Sequence, residues 1–138
     1  MSETKILLLT HGGWGMSLVR GVEMILGKID FVKEVPLLPN DTLLDYKKKV
    51  IAISEKMSED SLILTDVLGG TTTNVAAVVG RQRGIKVICG LNAPLLITAS
   101  SSIIFSNKLD FEHLLNEGKV SIKDVIEEAN KLLMEKDG

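Results

Sequence analysis

The chain has 138 residues, of which 45% are apolar and 25% charged, with a net charge of −2. That suffices for one domain with a real core, read as residues 1–138, and it provides neither a basic field for nucleic acid nor an acidic tail. The single cysteine, Cys89, excludes an internal disulfide, and no apolar stretch approaches the ~20 residues that cross a bilayer.

Apolar runs alternate with helical patterns from the start. Residues 5–10 read as a short buried strand, too short an apolar run for a signal-peptide core, so the cytoplasm is the expected compartment. The turn Gly12-Gly13-Trp14-Gly15 follows. Residues 16–26 read as a helix with Leu18, Val19, Val22, Ile25 and Leu26 on one stripe and Gly27 as its stop. A second strand over 31–35 is expected to end at Pro36. Asn40 or Asp41 then caps a helix running to about Met57, with Leu43, Leu44, Val50 and Met57 on its apolar face and Lys47-Lys48-Lys49 on its solvated side.

Residues 61–65 form a third strand that leads into Asp66. The loop Gly69-Gly70-Thr71-Thr72 opens a helix through Val75, Ala76 and Val79 that ends near Gly84. Residues 86–90 are a fourth strand, with Cys89 as a buried core thiol. Asn92 and Pro94 start the next helix. The remainder is mainly helical, interrupted at 118–122 by a candidate edge strand.

This alternation predicts an α/β fold: a mostly parallel, doubly wound sheet with helices on both faces. Reactive groups in such sheets gather beyond the carboxyl ends of the strands, where strand order reverses. With order 2-1-3-4, the first and third strands are neighbours, and His11 and Asp66 face each other across one crevice. Neutral imidazole attacks phosphorus through one nitrogen when the other holds the proton. A carboxylate that accepts that proton's hydrogen bond fixes the tautomer and stabilises the charge building on the ring. The glycines and helix starts offer amides to a phosphate, and Thr71, Thr72 and Thr73 offer hydroxyls.

Each feature also has a plainer reading. A lone histidine is more often structural or merely exposed. The place of His11, between a buried strand and a glycine turn, favours chemistry, whereas His113 in a predicted helix reads as structural. Asp66 doubles as a turn cap, and Gly69-Gly70-Thr71 as a tight connection. Trp14 is either a packing residue or an anchor for a partner, and Arg20 a phosphate or partner contact or a solvated side chain. Gly13 to Leu18 starts like a dinucleotide fingerprint but lacks its third glycine, with Glu34 a candidate ribose ligand. Gly21 to Gly27-Lys28 departs from a P-loop in spacing and position. Two histidines and one cysteine without ligand spacing make a metal site improbable, and no cofactor is expected.

Three segments in this order resemble one known family. They are Thr10-His11-Gly12, then Leu64-Thr65-Asp66 with Gly69-Gly70-Thr71 and Asn74, then Gly90-Leu91-Asn92-Ala93-Pro94-Leu95-Leu96. The family is the enzyme IIA component of mannose-type phosphoenolpyruvate-dependent sugar phosphotransferase systems. The resemblance implies a phosphotransferase component in which His11 takes a phosphoryl group from the phosphocarrier HPr and passes it to a IIB component, itself bound to the membrane components IIC and IID. It further implies that Asp66 hydrogen-bonds His11, that Thr71 helps hold the phosphate, and that Asn92 lines the same crevice; from the residues themselves Gly12, Gly69, Gly70 and Thr72 join Thr71 as phosphate-binding candidates. A homodimer is implied too, with a late strand exchanged between copies and residues 118–122 as the candidate. Thr72 stands where the family often has proline, and Gly15 where alanine is common. The alternative from the residues is a non-covalent anion- or nucleotide-binding module, and a related family that the resemblance brings in is the phosphocarrier subunit of a dihydroxyacetone kinase. A regulatory domain of a transcription activator is a weaker one.

Overall fold

The computed structural model describes residues 3–137. Four parallel strands form one sheet in the order β2-β1-β3-β4. They are β1 (Ile6–His11), β2 (Val32–Leu37), β3 (Leu62–Thr65) and β4 (Lys86–Cys89). Helices α1 (Gly15–Leu26), α2 (Leu43–Ser54), α3 (Thr71–Arg83) and α4 (Ala93–Ser106) follow the strands in turn. Helices α5 (Phe111–Val120) and α6 (Val125–Asp137) complete the chain. The predicted α/β class and strand order are those observed.

Side chains alternate across a strand, and the two faces of the sheet feed two cores. Ile6, Leu8, Val32, Leu62, Leu64 and Ile88 pack with α1, α4 and Leu114 of α5. Leu7, Leu9, Val35 and Ile63 pack with Tyr46 and Val50 of α2 and Val75, Ala76 and Val79 of α3. This alternation decides where the chemistry sits. His11 continues the Leu7–Leu9 series toward α2 and α3, whereas Thr10 continues the Ile6–Leu8 series toward α1.

Several boundaries differ from expectation. Pro36 does not end β2 but pairs in register with Thr10 inside it. β2 is an edge strand, so the missing N–H of Pro36 breaks no central ladder. Thr42, not Asn40 or Asp41, caps α2, its hydroxyl accepting from the Asp45 amide at 3.1 Å. Asp41 instead accepts from the Leu38 amide at 2.9 Å and pairs with Lys49 at 3.0 Å. Leu43 and Leu44 leave the predicted apolar face and are exposed, because the helix turns Tyr46 and Val50 inward. Cys89 is only half-buried on the outer strand β4.

The expected strand at 118–122 does not form. α5 runs through Val120, and Gly118 lies inside it against Leu95 of α4, where a Cβ would stand 3.5 Å from Leu95 Cδ1. No helix among the described residues is long and apolar enough to cross a membrane.

Candidate phosphoryl-transfer site

His11 ends β1, beside Asp66 just past β3. The turn after His11 needs glycine: Gly12 and Gly13 adopt φ of 77° and 88°, which side chains with a Cβ rarely take. Gly12 donates to Leu37 O at 2.9 Å, tying the turn to the end of β2.

Asp66 organises the site. Its Oδ2 stands 2.7 Å from His11 Nδ1 and accepts the His11 backbone amide at 2.6 Å. Its Oδ1 accepts the Thr72 hydroxyl at 2.7 Å and the Val67 amide at 2.9 Å. The Asp66 side chain is 5% exposed, while that of His11 is 49% exposed. Burial pushes the Asp66 carboxyl upward, but the hydrogen bonds from Thr72, His11 and Val67 outweigh it and hold the group below its usual range. An ionised carboxylate accepts only, so Nδ1 carries the proton facing it. In the neutral ring, Nε2 is then the nitrogen with a lone pair on the exposed side.

The surroundings of Nε2 come from three loops. A Cβ built on Gly70 would lie 3.0 Å from His11 Cε1 and 3.5 Å from Nε2, so the absence of a side chain there leaves this edge of the ring uncovered. Thr71, the first residue of α3, lines an open cavity of about 390 Å³ together with His11 and Gly12. Gly69 supports the turn into α3 with φ of 86°. Thr72 departs from its expected role: it is fully buried with its hydroxyl committed to Asp66, so it positions the carboxylate. Asn92 lies elsewhere. It caps α4 by accepting from the Leu95 amide at 2.9 Å, and it lines a second cleft with Cys89, Gly90 and Lys119 rather than the His11 cavity. His113 is exposed in the first turn of α5, and Trp14 is exposed beside the glycine turn. Arg20 reaches Ser17 Oγ at 2.9 Å.

Two groups were not recognised from sequence. Leu37, Leu38, Pro39, Asp41 and Leu43 form the far wall of the His11 cavity. They too follow the carboxyl end of a strand adjacent to β1, so the strand order contained the signal. Glu34 does not act as the ribose ligand that the sequence offers. It instead accepts the amides of Gly15 at 2.7 Å and Met16 at 3.1 Å and bonds the Thr10 hydroxyl. A carboxylate thus occupies the positive end of α1, the place where a dinucleotide fold receives its pyrophosphate. Among the described residues no cluster of His, Cys, Asp and Glu suits a metal ion.

Residues 5–116 match the family of phosphotransferase system (PTS) fructose IIA components. The chain belongs to that family. Solved IIA proteins share its fold. The mannose/sorbose-specific IIA subunit of the phosphotransferase system from Enterococcus faecalis is 26% identical, with a TM-score of 0.78 over 89% of this chain and 95% of that one. The phosphotransferase system component EIIA from Streptococcus agalactiae is 24% identical, with a TM-score of 0.79 over 88% and 97%. The PTS IIA protein associated with the fucose utilization operon of Streptococcus pneumoniae is 22% identical, with a TM-score of 0.80 over 94% and 99%. No curated protein matches the sequence. As a PTS IIA component the protein is a phosphocarrier in sugar uptake, and the binding-module and dihydroxyacetone-kinase alternatives are not favoured.

Proposed function

We propose that this IIA component carries the phosphoryl group on His11 Nε2, receiving it from the phosphocarrier HPr and delivering it to a IIB component. One observation carries the assignment: Asp66 holds Nδ1 at 2.7 Å and is itself fully bonded, so the ring presents one nitrogen outward. In the proposed step the Nε2 lone pair attacks phosphorus. The bond from phosphorus to the donor's nitrogen breaks, and its electron pair leaves with the donor. Asp66 stabilises the positive charge that the ring gains. The amides of Gly70 and Thr71 and the start of α3 surround the phosphoryl oxygens, with Gly12 and Gly69 shaping the two turns.

The test is incubation with phosphoenolpyruvate, enzyme I and HPr. An acid-labile, alkali-stable phosphoryl adduct should appear on the wild type and be absent from His11→Ala. Unphosphorylated wild type under these conditions would refute the proposal. The same reading places the protein in the cytoplasm as a homodimer. The free edge of β4 and the exposed Val125, Ile126, Leu132 and Leu133 of α6 support dimerisation, and sedimentation tests it: a purely monomeric chain would overturn that part.

A further inference from the structure

Glu34 is the only carboxylate in β2, opposite Leu8 of β1. It shares with Val32 the face that packs on α1, whereas His11 lies on the α2–α3 face. Glu34 therefore acts from the other side of the sheet. Its Oε2 accepts the Gly15 amide at 2.7 Å and bonds the Thr10 hydroxyl, and its Oε1 accepts the Met16 amide at 3.1 Å. Thr10 directly precedes His11 and Gly15 begins α1, so one carboxylate holds both ends of the turn His11-Gly12-Gly13-Trp14.

Helix α1 depends on this contact. The residue in its N-cap position, Trp14, supplies no side-chain cap, so Glu34 satisfies the orphan amides from a neighbouring strand. The space for it exists because position 15 is glycine. A Cβ there would overlap Glu34 Oε2 and lie 2.9 Å from Glu34 Cδ and 3.0 Å from Leu8 Cδ1.

We propose that Glu34 is a positioning residue for phosphoryl transfer, which fixes the His11 turn through Thr10 and the first amides of α1 and requires glycine at position 15. The proposal rests on His11 being the phosphoryl acceptor. Two successive glycines with positive φ lose much conformational freedom when they order, so the turn between Thr10 and Gly15 needs held ends. The His11 amide and Nδ1 bond the same Asp66 oxygen, so movement of the end of β1 is felt at the ring. The contact also leaves α3, not α1, as the helix start available to the phosphoryl group.

The test compares transfer from phosphorylated HPr to wild type, Glu34→Ala, Glu34→Gln, Gly15→Ala and the Gly15→Ala/Glu34→Ala double variant, with ¹⁵N spectra of the His11 ring. Glu34→Ala should lower kcat about tenfold with little change in KM. Glu34→Gln, whose amide oxygen still accepts from Gly15 and Thr10 while its nitrogen leaves the Met16 amide without an acceptor, should recover part of the loss. Gly15→Ala should reproduce the defect of Glu34→Ala, and the double variant should be little worse than either, because the colliding carboxylate is gone. The Nδ1 resonance should move in Glu34→Ala and stay in Glu34→Gln. Wild-type transfer with an unmoved resonance in Glu34→Ala overturns the proposal, as do additive losses in the double variant. If Glu34→Ala does not fold, Gly15→Ala and Glu34→Gln decide by the same readouts. A wild type that takes no phosphoryl group refutes the His11 assignment and with it the link to transfer, while the ring spectra still decide whether Glu34 positions the His11 turn.

Discussion

Replacing Asp66 with asparagine changes the site by one charge and one atom. The carboxylate receives four donors: the His11 amide and Nδ1 on Oδ2, and the Thr72 hydroxyl and Val67 amide on Oδ1. Asparagine retains one oxygen. The better orientation gives that oxygen to the two His11 donors and turns the amide nitrogen toward Thr72 and Val67. The Thr72 hydroxyl can rotate to accept, but the Val67 amide cannot. One amide is then left unpaired, a stability cost of about 1–3 kcal/mol. At the ring, a hydrogen bond to an ionised acceptor, about 1.5–3 kcal/mol, becomes a neutral one of about 1 kcal/mol. The expected loss of transition-state stabilisation is about 0.5–2 kcal/mol, or roughly 2- to 30-fold in rate. Rapid-quench measurement of transfer from phosphorylated HPr reads it directly, with thermal melts to follow the fold. The acid response provides a second check. The Asp66 carboxyl is held below its usual range, so its stabilisation is present above about pH 4 and is lost as pH falls through the lowered value. Asp66→Asn removes that contribution to acid unfolding. A transfer rate equal to wild type in a folded Asp66→Asn protein would refute the role given to the carboxylate.

Gly70→Ala should slow transfer more than it destabilises: the backbone there is ordinary (φ −98°), but the new methyl lies 3.0 Å from His11 Cε1 and 3.5 Å from Nε2. Kinetics paired with thermal melts check this, and an unslowed variant would count against Nε2 as the acceptor. Tyr46 tests the core on the His11 side of the sheet. Its phenol is buried and donates to Val35 O at 2.8 Å, and burial first, then the charges of Asp66, Asp41 and Glu34, push its ionisation upward. Its contribution is complete below about pH 10 and is lost as pH rises from there toward the raised value. Tyr46→Phe should cost about 1–2 kcal/mol at neutral pH and flatten the alkaline fall in stability. Denaturant titrations across that range decide, and an unchanged alkaline slope would refute the reasoning.

Local pattern made much of the molecule legible. The run Ile6 to Leu9 reads as a buried strand because parallel strands are covered on both faces and show no polar alternation. Gly27 and Gly84 follow the last turns of α1 and α3 as expected of helix stops. Asn92 and Pro94 mark the start of α4, although Asn92 serves the helix and not the His11 cavity. Leu43 departs from the expected apolar face because hydrophobicity at helical spacing does not reveal which way a short helix faces. Its exposed side chain belongs to the cavity wall.

From the sequence alone came the alternation of strands and helices, the glycine turn after His11, and the topological reason for Asp66 to meet it. Periodicity, turn chemistry and the handedness of parallel crossovers are local or general constraints, and a chain displays them in its order of residues. Only the tertiary structure decided which oxygen of Asp66 meets which donor, that Thr72 braces the carboxylate, and that Glu34 reaches from β2 to hold the start of α1. Those contacts join residues 6 to 55 positions apart in the chain, and their partners are chosen by side-chain direction across a packed sheet.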